Sequence, residues 1–206
     1  MDAMYRVQRH FYDLTRKPYL LGRDTLIRGL AVPDCGSVLE IGCGTARNLV
    51  WIAKTYPSSR CFGVDISAAM LKTAKATIKR TGFDGRIAVA QADATALSPK
   101  SLFGIERFDR IVISYALSMI PDWERVLYSA VQLLNPNGSL HIADFGDQAG
   151  LPNWFRSALR SWLNMFSVVP RTELIDTANG MAESFGYRFR SRALYGGYAF
   201  LAEIRA

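Results

Sequence analysis

The sequence predicts an α/β fold: a seven-stranded, mostly parallel sheet with helices on both faces, an antiparallel carboxyl-terminal hairpin, and extra amino-terminal helices. Three observations carry that reading. From residue 36 onward, short β-rich runs alternate with helical ones. The strand candidates are near-continuous apolar stretches, as a sheet covered on both faces requires. The last two runs are joined by Gly196-Gly197, which marks a tight hairpin.

Taken in order, Met4, Val7, Phe11 and Leu14 recur at helical spacing and form one apolar stripe. Tyr5, Gln8, Tyr12 and Thr15 run along its edge, and Arg6, Arg9, Asp13 and Arg16 share a charged arc. After Pro18, residues 19–30 start a second helical pattern. Strands are expected at 37–42, 60–67, 86–93, 108–116 and 138–146, with helices at 46–56, 68–80 and 123–134 between them. "LPNWFRSALRSWLNMF" (151–166) reads as an amphipathic helix, with Trp154, Phe155, Ala158, Leu159, Trp162, Leu163, Met165 and Phe166 on one half. Runs 187–195 and 198–204 complete the hairpin.

Composition narrows the class. The 206 residues suit one domain, and 50% hydrophobic with 21% charged residues excludes a disordered chain. A net charge of +7 favours anionic partners. The three cysteines, Cys35, Cys43 and Cys61, form no CxxC pair and no metal-ligand spacing, so no metal is expected and a reducing compartment is. No run reaches the ~18 apolar residues of a membrane span, so any membrane contact is expected to be peripheral.

The chemistry concentrates at "VLEIGCGTARNL" (38–49), where a strand runs through Gly42-Cys43-Gly44 into a helix. Glycines there allow a sharp turn and a close backbone approach to a ligand. Arg47 occupies the third-glycine place of a dinucleotide fingerprint, which counts against a pyrophosphate on this turn. Glu40, Asp65 and Asp93 stand at the ends of three successive strands, where open α/β sheets bind ligands. A carboxylate at such a place can accept hydrogen bonds from both hydroxyls of a ribose.

The Glu40-x-Gly42-x-Gly44 series, with Ala46 where a further glycine is usual, resembles motif I of the class I S-adenosylmethionine-dependent methyltransferases, which have a Rossmann-like fold. The resemblance spans about residues 30–145. It implies S-adenosylmethionine as cofactor, with the glycine loop beside its methionine portion, Asp65 on the ribose and Asp93 on the adenine amino group. Ile66, Met70 and Ala94 would pack on the purine. Tyr12, Arg16, Cys43, Asn48, Thr95 and Ser114 complete the expected cofactor set. The whole chain, 1–206, is then one methyltransferase domain. A helical lid occupies 1–30, the cofactor core 31–150, and the substrate side 151–206.

After the fourth strand comes Ser114-Tyr115-Ala116-Leu117-Ser118-Met119, without the Asn/Asp-Pro-Pro-aromatic run common to methylation of nucleic acid bases. Nucleic acid is therefore not an expected partner. "MYRVQRHFYDLTRKPYLLGRD" (4–24), "ISYALSMIPDW" (113–123) and "DFGDQ" (144–148) resemble the bacterial betaine-lipid N-methyltransferases. That resemblance implies trimethylation of the amine of diacylglycerylhomoserine on an anionic membrane surface. It further implies a cytoplasmic protein held at the inner face of the membrane, with the enzyme that makes diacylglycerylhomoserine as a partner. Phosphatidylethanolamine N-methylation and methylation of a small quinone or amine are the alternatives.

Methyl transfer from a sulfonium is an in-line displacement that depends on alignment and on a neutral amine. No signature marks a dedicated base; water, a tyrosine or an aspartate are the options. Tyr12, Tyr115 and Asp144 are the expected catalytic residues. Tyr5, Arg9, Tyr19, Tyr115, Met119, Asp147, Tyr195 and Tyr198 are the expected substrate contacts, since rings attract a quaternary ammonium and arginines a carboxylate. Asp144 and Asp147 would hold the amine or cap the turn after the fifth strand.

Overall fold

The computed structural model describes residues 20–165 and 168–206. Seven strands form one sheet: β1 Ser37–Ile41, β2 Arg60–Asp65, β3 Ile87–Gln91, β4 Phe108–Ser114, β5 Leu134–Phe145, β6 Arg188–Leu194 and β7 Ala199–Arg205, in the order β3-β2-β1-β4-β5-β7-β6. The first five run parallel; β7 is antiparallel to both β5 and β6. The hairpin therefore folds back, so that β7 rather than β6 lies against β5.

Two apolar layers sandwich the sheet. On one face lie α1 (Arg23–Arg28), α2 (Arg47–Thr55), α3 (Ala68–Thr81) and α6 (Asn153–Asn164), seated by Ile27, Leu49, Ile52, Ala74, Leu159 and Leu163. On the other lie α4 (Pro99–Phe103), α5 (Trp123–Gln132) and α7 (Leu174–Ser184), seated by Phe103, Val126, Leu127, Leu174, Ala178 and Ala182. Helix α3 shows its boundaries in sequence: the Ser67 hydroxyl accepts from the Met70 amide at its start, and Gly82 ends it at φ +71°.

The helical pattern of residues 19–30 shrinks to α1, because Gly22 takes φ +84° and starts the helix only at Arg23. Strand β5 begins at Leu134 rather than 138: Leu134 pairs with Phe108 ahead of a bulge. Helix α7 has no counterpart among the expected elements. Its buried face is Leu174, Ala178 and Ala182, and two alanines give little hydrophobic signal. The three cysteines are free thiols: Cys43 and Cys61 are buried, Cys35 is exposed ahead of β1.

Candidate functional site

The carboxyl end of β1 shapes the site. Gly42 (φ +74°) and Gly44 (φ +53°) turn the chain out of the strand, and a Cβ on Gly42 would lie 2.7 Å from the Ala116 methyl. The amides of Gly42 and Cys43 donate to the Val64 carbonyl, tying the turn to β2 (2.9 and 3.0 Å). The Asp65 carboxylate takes the Gly44 amide on one oxygen (2.8 Å) and the Ser67 amide on the other (2.9 Å). The acid at the end of β2 thus fixes the glycine loop before any ligand arrives. Ala46, next in the Glu40-x-Gly42-x-Gly44 series, holds φ +63°, a left-handed conformation that costs an alanine roughly 1–2 kcal/mol.

Glu40 lies beneath this loop, 1% exposed. The Asn48 side-chain amide donates to its Oε1 (2.7 Å), while its Oε2 is buried without a hydrogen-bond partner among the described residues. Burial pushes the Glu40 pKa up to about 8, against the opposing pull of Asn48 and of Arg23 from α1. The Ser114 hydroxyl, at the end of β4, is likewise buried without a partner among the described residues. Both orphaned groups line one cleft with Gly42, Cys43, Gly44, Asn48 and Met70. Two unpaired buried polar atoms are costly unless a polar ligand meets them. The cleft therefore fits a ligand with a cationic or hydrogen-donating head toward Glu40. The amino-acid portion of S-adenosylmethionine carries such a head.

The outer parts of the expected cofactor set stand apart from that cleft. Ile66 is 60% exposed on the lip beyond Asp65. Asp93 caps the single helical turn Ala94–Ala96, accepting from the Thr95 amide (2.8 Å) and hydroxyl (2.7 Å), and these bonds hold its pKa below the usual carboxylate range. Ala94 and Thr95 are half-buried beside it.

Tyr115 and Asp144 depart from the expected roles. Tyr115 (φ +55°) is buried, and its hydroxyl donates to the Leu21 carbonyl (2.6 Å). Its ring packs edge-on against Phe145, which in turn meets Tyr198. Burial raises the Tyr115 pKa far above the phenol range, so this hydroxyl is a brace between the chain ahead of α1 and the end of β4, not a proton acceptor. Asp144 is buried and takes the amides of Ser118 (3.2 Å) and Phe145 (2.9 Å). It positions the helical turn Leu117–Met119, where Met119 is half-buried. Burial lifts its pKa to about 6.

Asp147 is exposed and accepts from the Ala149 amide (3.0 Å), a turn cap. Tyr195 is 56% exposed at the hairpin tip, whereas Tyr198 is buried. Tyr5, Arg9, Tyr12, Arg16 and Tyr19 lie outside the described residues. Sequence reasoning missed Arg23, Leu20, Thr45 and Arg47, which also line the cleft. Arg23 carries no motif signal, since only the fold brings α1 to Glu40.

Residues 38–138 match the family model of a methyltransferase domain. The methyltransferase GfsG of Streptomyces halstedii is 26% identical over 163 residues, which cover 79% of this chain and 56% of that protein. The ubiquinone/menaquinone biosynthesis C-methyltransferase UbiE of Syntrophotalea carbinolica is 28% identical over 139 residues, covering 65% and 56%. This chain thus spans little more than half the length of either relative. Among solved structures, an S-adenosylmethionine-dependent methyltransferase from Aquifex aeolicus superposes with a TM-score of 0.65 at 15% identity, covering 91% of this chain and 90% of that one. The fold is that of the class I methyltransferases.

Proposed function

We infer that this chain, whose residues 38–138 form a methyltransferase domain on the class I fold, is an S-adenosylmethionine-dependent methyltransferase that acts on the amine of a lipid headgroup. When bound, S-adenosylmethionine would supply an electrophilic methyl group to the amine lone pair, with the sulfur keeping the bonding electrons; a proton must leave the nitrogen after the first and second transfers, and none is left to leave after the third. Glu40 Oε2 and the Ser114 hydroxyl would hold the amino-acid end of the cofactor, and Asp65 its ribose. Asp144 and Tyr115 set the chain that follows β4, against which the acceptor must be aligned. Trimethylation of diacylglycerylhomoserine is the specific reaction proposed. The rings of Tyr5, Tyr12, Tyr19 and Tyr195 would receive the growing cation, and Arg9 its carboxylate.

The observation that supports a lipid acceptor is helix α6. Leu159 and Leu163 are buried against the sheet, yet Trp154 (73%) and Met165 (68%) remain largely exposed, with Phe155 at 36%. Arg156 and Arg160 lie on the same helix, and Arg160 is held at the loop after β5 by the Asp147 carbonyl (3.4 Å). Exposed aromatics beside arginines suit a bilayer interface. Among the described residues no helix is long and apolar enough to cross a membrane. The names of relatives such as UbiE favour a second reading, a quinone-type acceptor in which α6 closes over a small molecule.

A transfer assay decides between them. Labelled S-adenosylmethionine is supplied with vesicles of diacylglycerylhomoserine or phosphatidylethanolamine, or with a soluble demethylquinone, and products are resolved by mass. Three successive methyl additions to the homoserine lipid alone are expected. Methylation of the quinone and of neither lipid would overturn the lipid reading.

A further inference from the structure

Outside the cofactor cleft, β6 carries Arg188, Arg190 and Arg192 at alternate positions, so all three project from one face of the sheet edge. Arg188 and Arg190 register with Arg205 and Glu203 of β7. Glu203 is the one acid of this group, and Arg205 already holds it (2.7 Å). A groove runs beside this row, floored by Leu26 and Leu201, edged by Arg190 and Arg192, and reached by the buried His141. His141 Nε2 is engaged with the Ser139 hydroxyl (2.8 Å), and burial lowers its pKa to about 4, so it adds no charge near neutrality. Leu26, Leu201, Leu159 and Leu163 all belong to the same apolar layer, so groove and α6 lie on one side of the sheet. The hairpin tip joins them: the Gly150 amide, just ahead of α6, donates to the Gly196 carbonyl (3.0 Å), next to the exposed Tyr195.

Charge on an edge strand deters strand pairing. That role does not need three cations in a row, and it gives no reason for an apolar groove beside them. We propose that the arginine face of β6–β7, with its groove, docks on an anionic bilayer: the guanidiniums meet lipid phosphates and the groove takes apolar surface from the interface. This rests on the lipid-acceptor reading and adds a second, electrostatic contact to that of α6. A bilayer is favoured over nucleic acid because the cations border apolar rather than base-stacking surface.

The test compares wild type, Arg190→Ala/Arg192→Ala, and Lys79→Ala/Arg80→Ala on α3 as an equal charge change elsewhere. Each is pelleted with phosphatidylglycerol/phosphatidylcholine vesicles and, separately, assayed on detergent-dispersed diacylglycerylhomoserine. At about 1 kcal/mol per basic residue near a charged leaflet, the β6 variant is expected to bind vesicles ~30-fold more weakly, with the detergent activity kept. The α3 variant should bind as wild type. Equal losses in both variants, or wild-type binding to neutral and anionic vesicles alike, overturn the docking face. Tight binding of the wild type to RNA but not to vesicles overturns it in favour of nucleic acid. Failure of the lipid-acceptor reading shows up separately, as no turnover of the dispersed lipid by the wild type.

Discussion

At the scale of the residue, Glu40 carries the sharpest consequence. An exposed glutamate titrates near 4.5, whereas here burial raises the value to about 8. The stability linked to its proton is therefore complete below pH 4.5 and is lost as pH rises to 8, because the unfolded chain gives that proton up first. Glu40→Gln should flatten this part of the pH dependence, read as urea unfolding at pH 5 and pH 8; unchanged slopes would sink the assignment. An ammonium seated against Oε2 favours the ionised carboxylate. Cofactor affinity should accordingly rise with pH up to 8, with proton release visible by calorimetry in buffers of different ionisation heat. Glu40, Gly42, Gly44 and Asp65 were legible in the sequence because strand ends put glycine and acid at fixed places. Tyr115 was not, since its hydroxyl answers to a carbonyl 94 residues away in the chain.

At the scale of the element, the turn after β1 and the end of β2 are one unit, since Asp65 accepts from both Gly44 and Ser67. Asp65→Ala removes the proposed ribose contact and also unties the loop. Cofactor binding should weaken by about 2 kcal/mol or more, the scale of hydrogen bonds to a charged group. Titration calorimetry checks it; wild-type affinity would place the cofactor elsewhere. The parallel strands and their helices were readable from apolar runs of the right length. Helix α7 was not, because Thr177, Asn179 and Gly180 are weak helix formers and its buried alanines carry no stripe. The packing of Ala178 and Ala182 against the sheet layer, not local propensity, holds it.

For the molecule as a whole, the alternation of strands and helices announced the fold class, but not the seating of β7 between β5 and β6. That order depends on pairing between distant segments, such as Leu140 with Ile204. The described residues furnish both apolar layers. If residues 1–18 form the proposed lid, their removal should leave the thermal midpoint within a few degrees while turnover on lipid collapses. Retained turnover would end the lid reading, and a large fall in the midpoint would make the segment part of the core.

The unequal placement of the three thiols has a practical consequence. Cys43 sits in the cleft turn, where burial raises its pKa well above that of a free thiol, and Cys61 is pushed up to about 11. A native sample offers an alkylating dye Cys35 alone, ahead of β1 and at the opposite end of that strand from the glycine loop. The wild-type chain therefore comes with a single attachment point for a fluorophore or a surface tether, and the label leaves the glycine-loop end facing outward. Slow labelling at Cys43 then becomes a clock for transient opening of the cleft, one that a bound cofactor should slow.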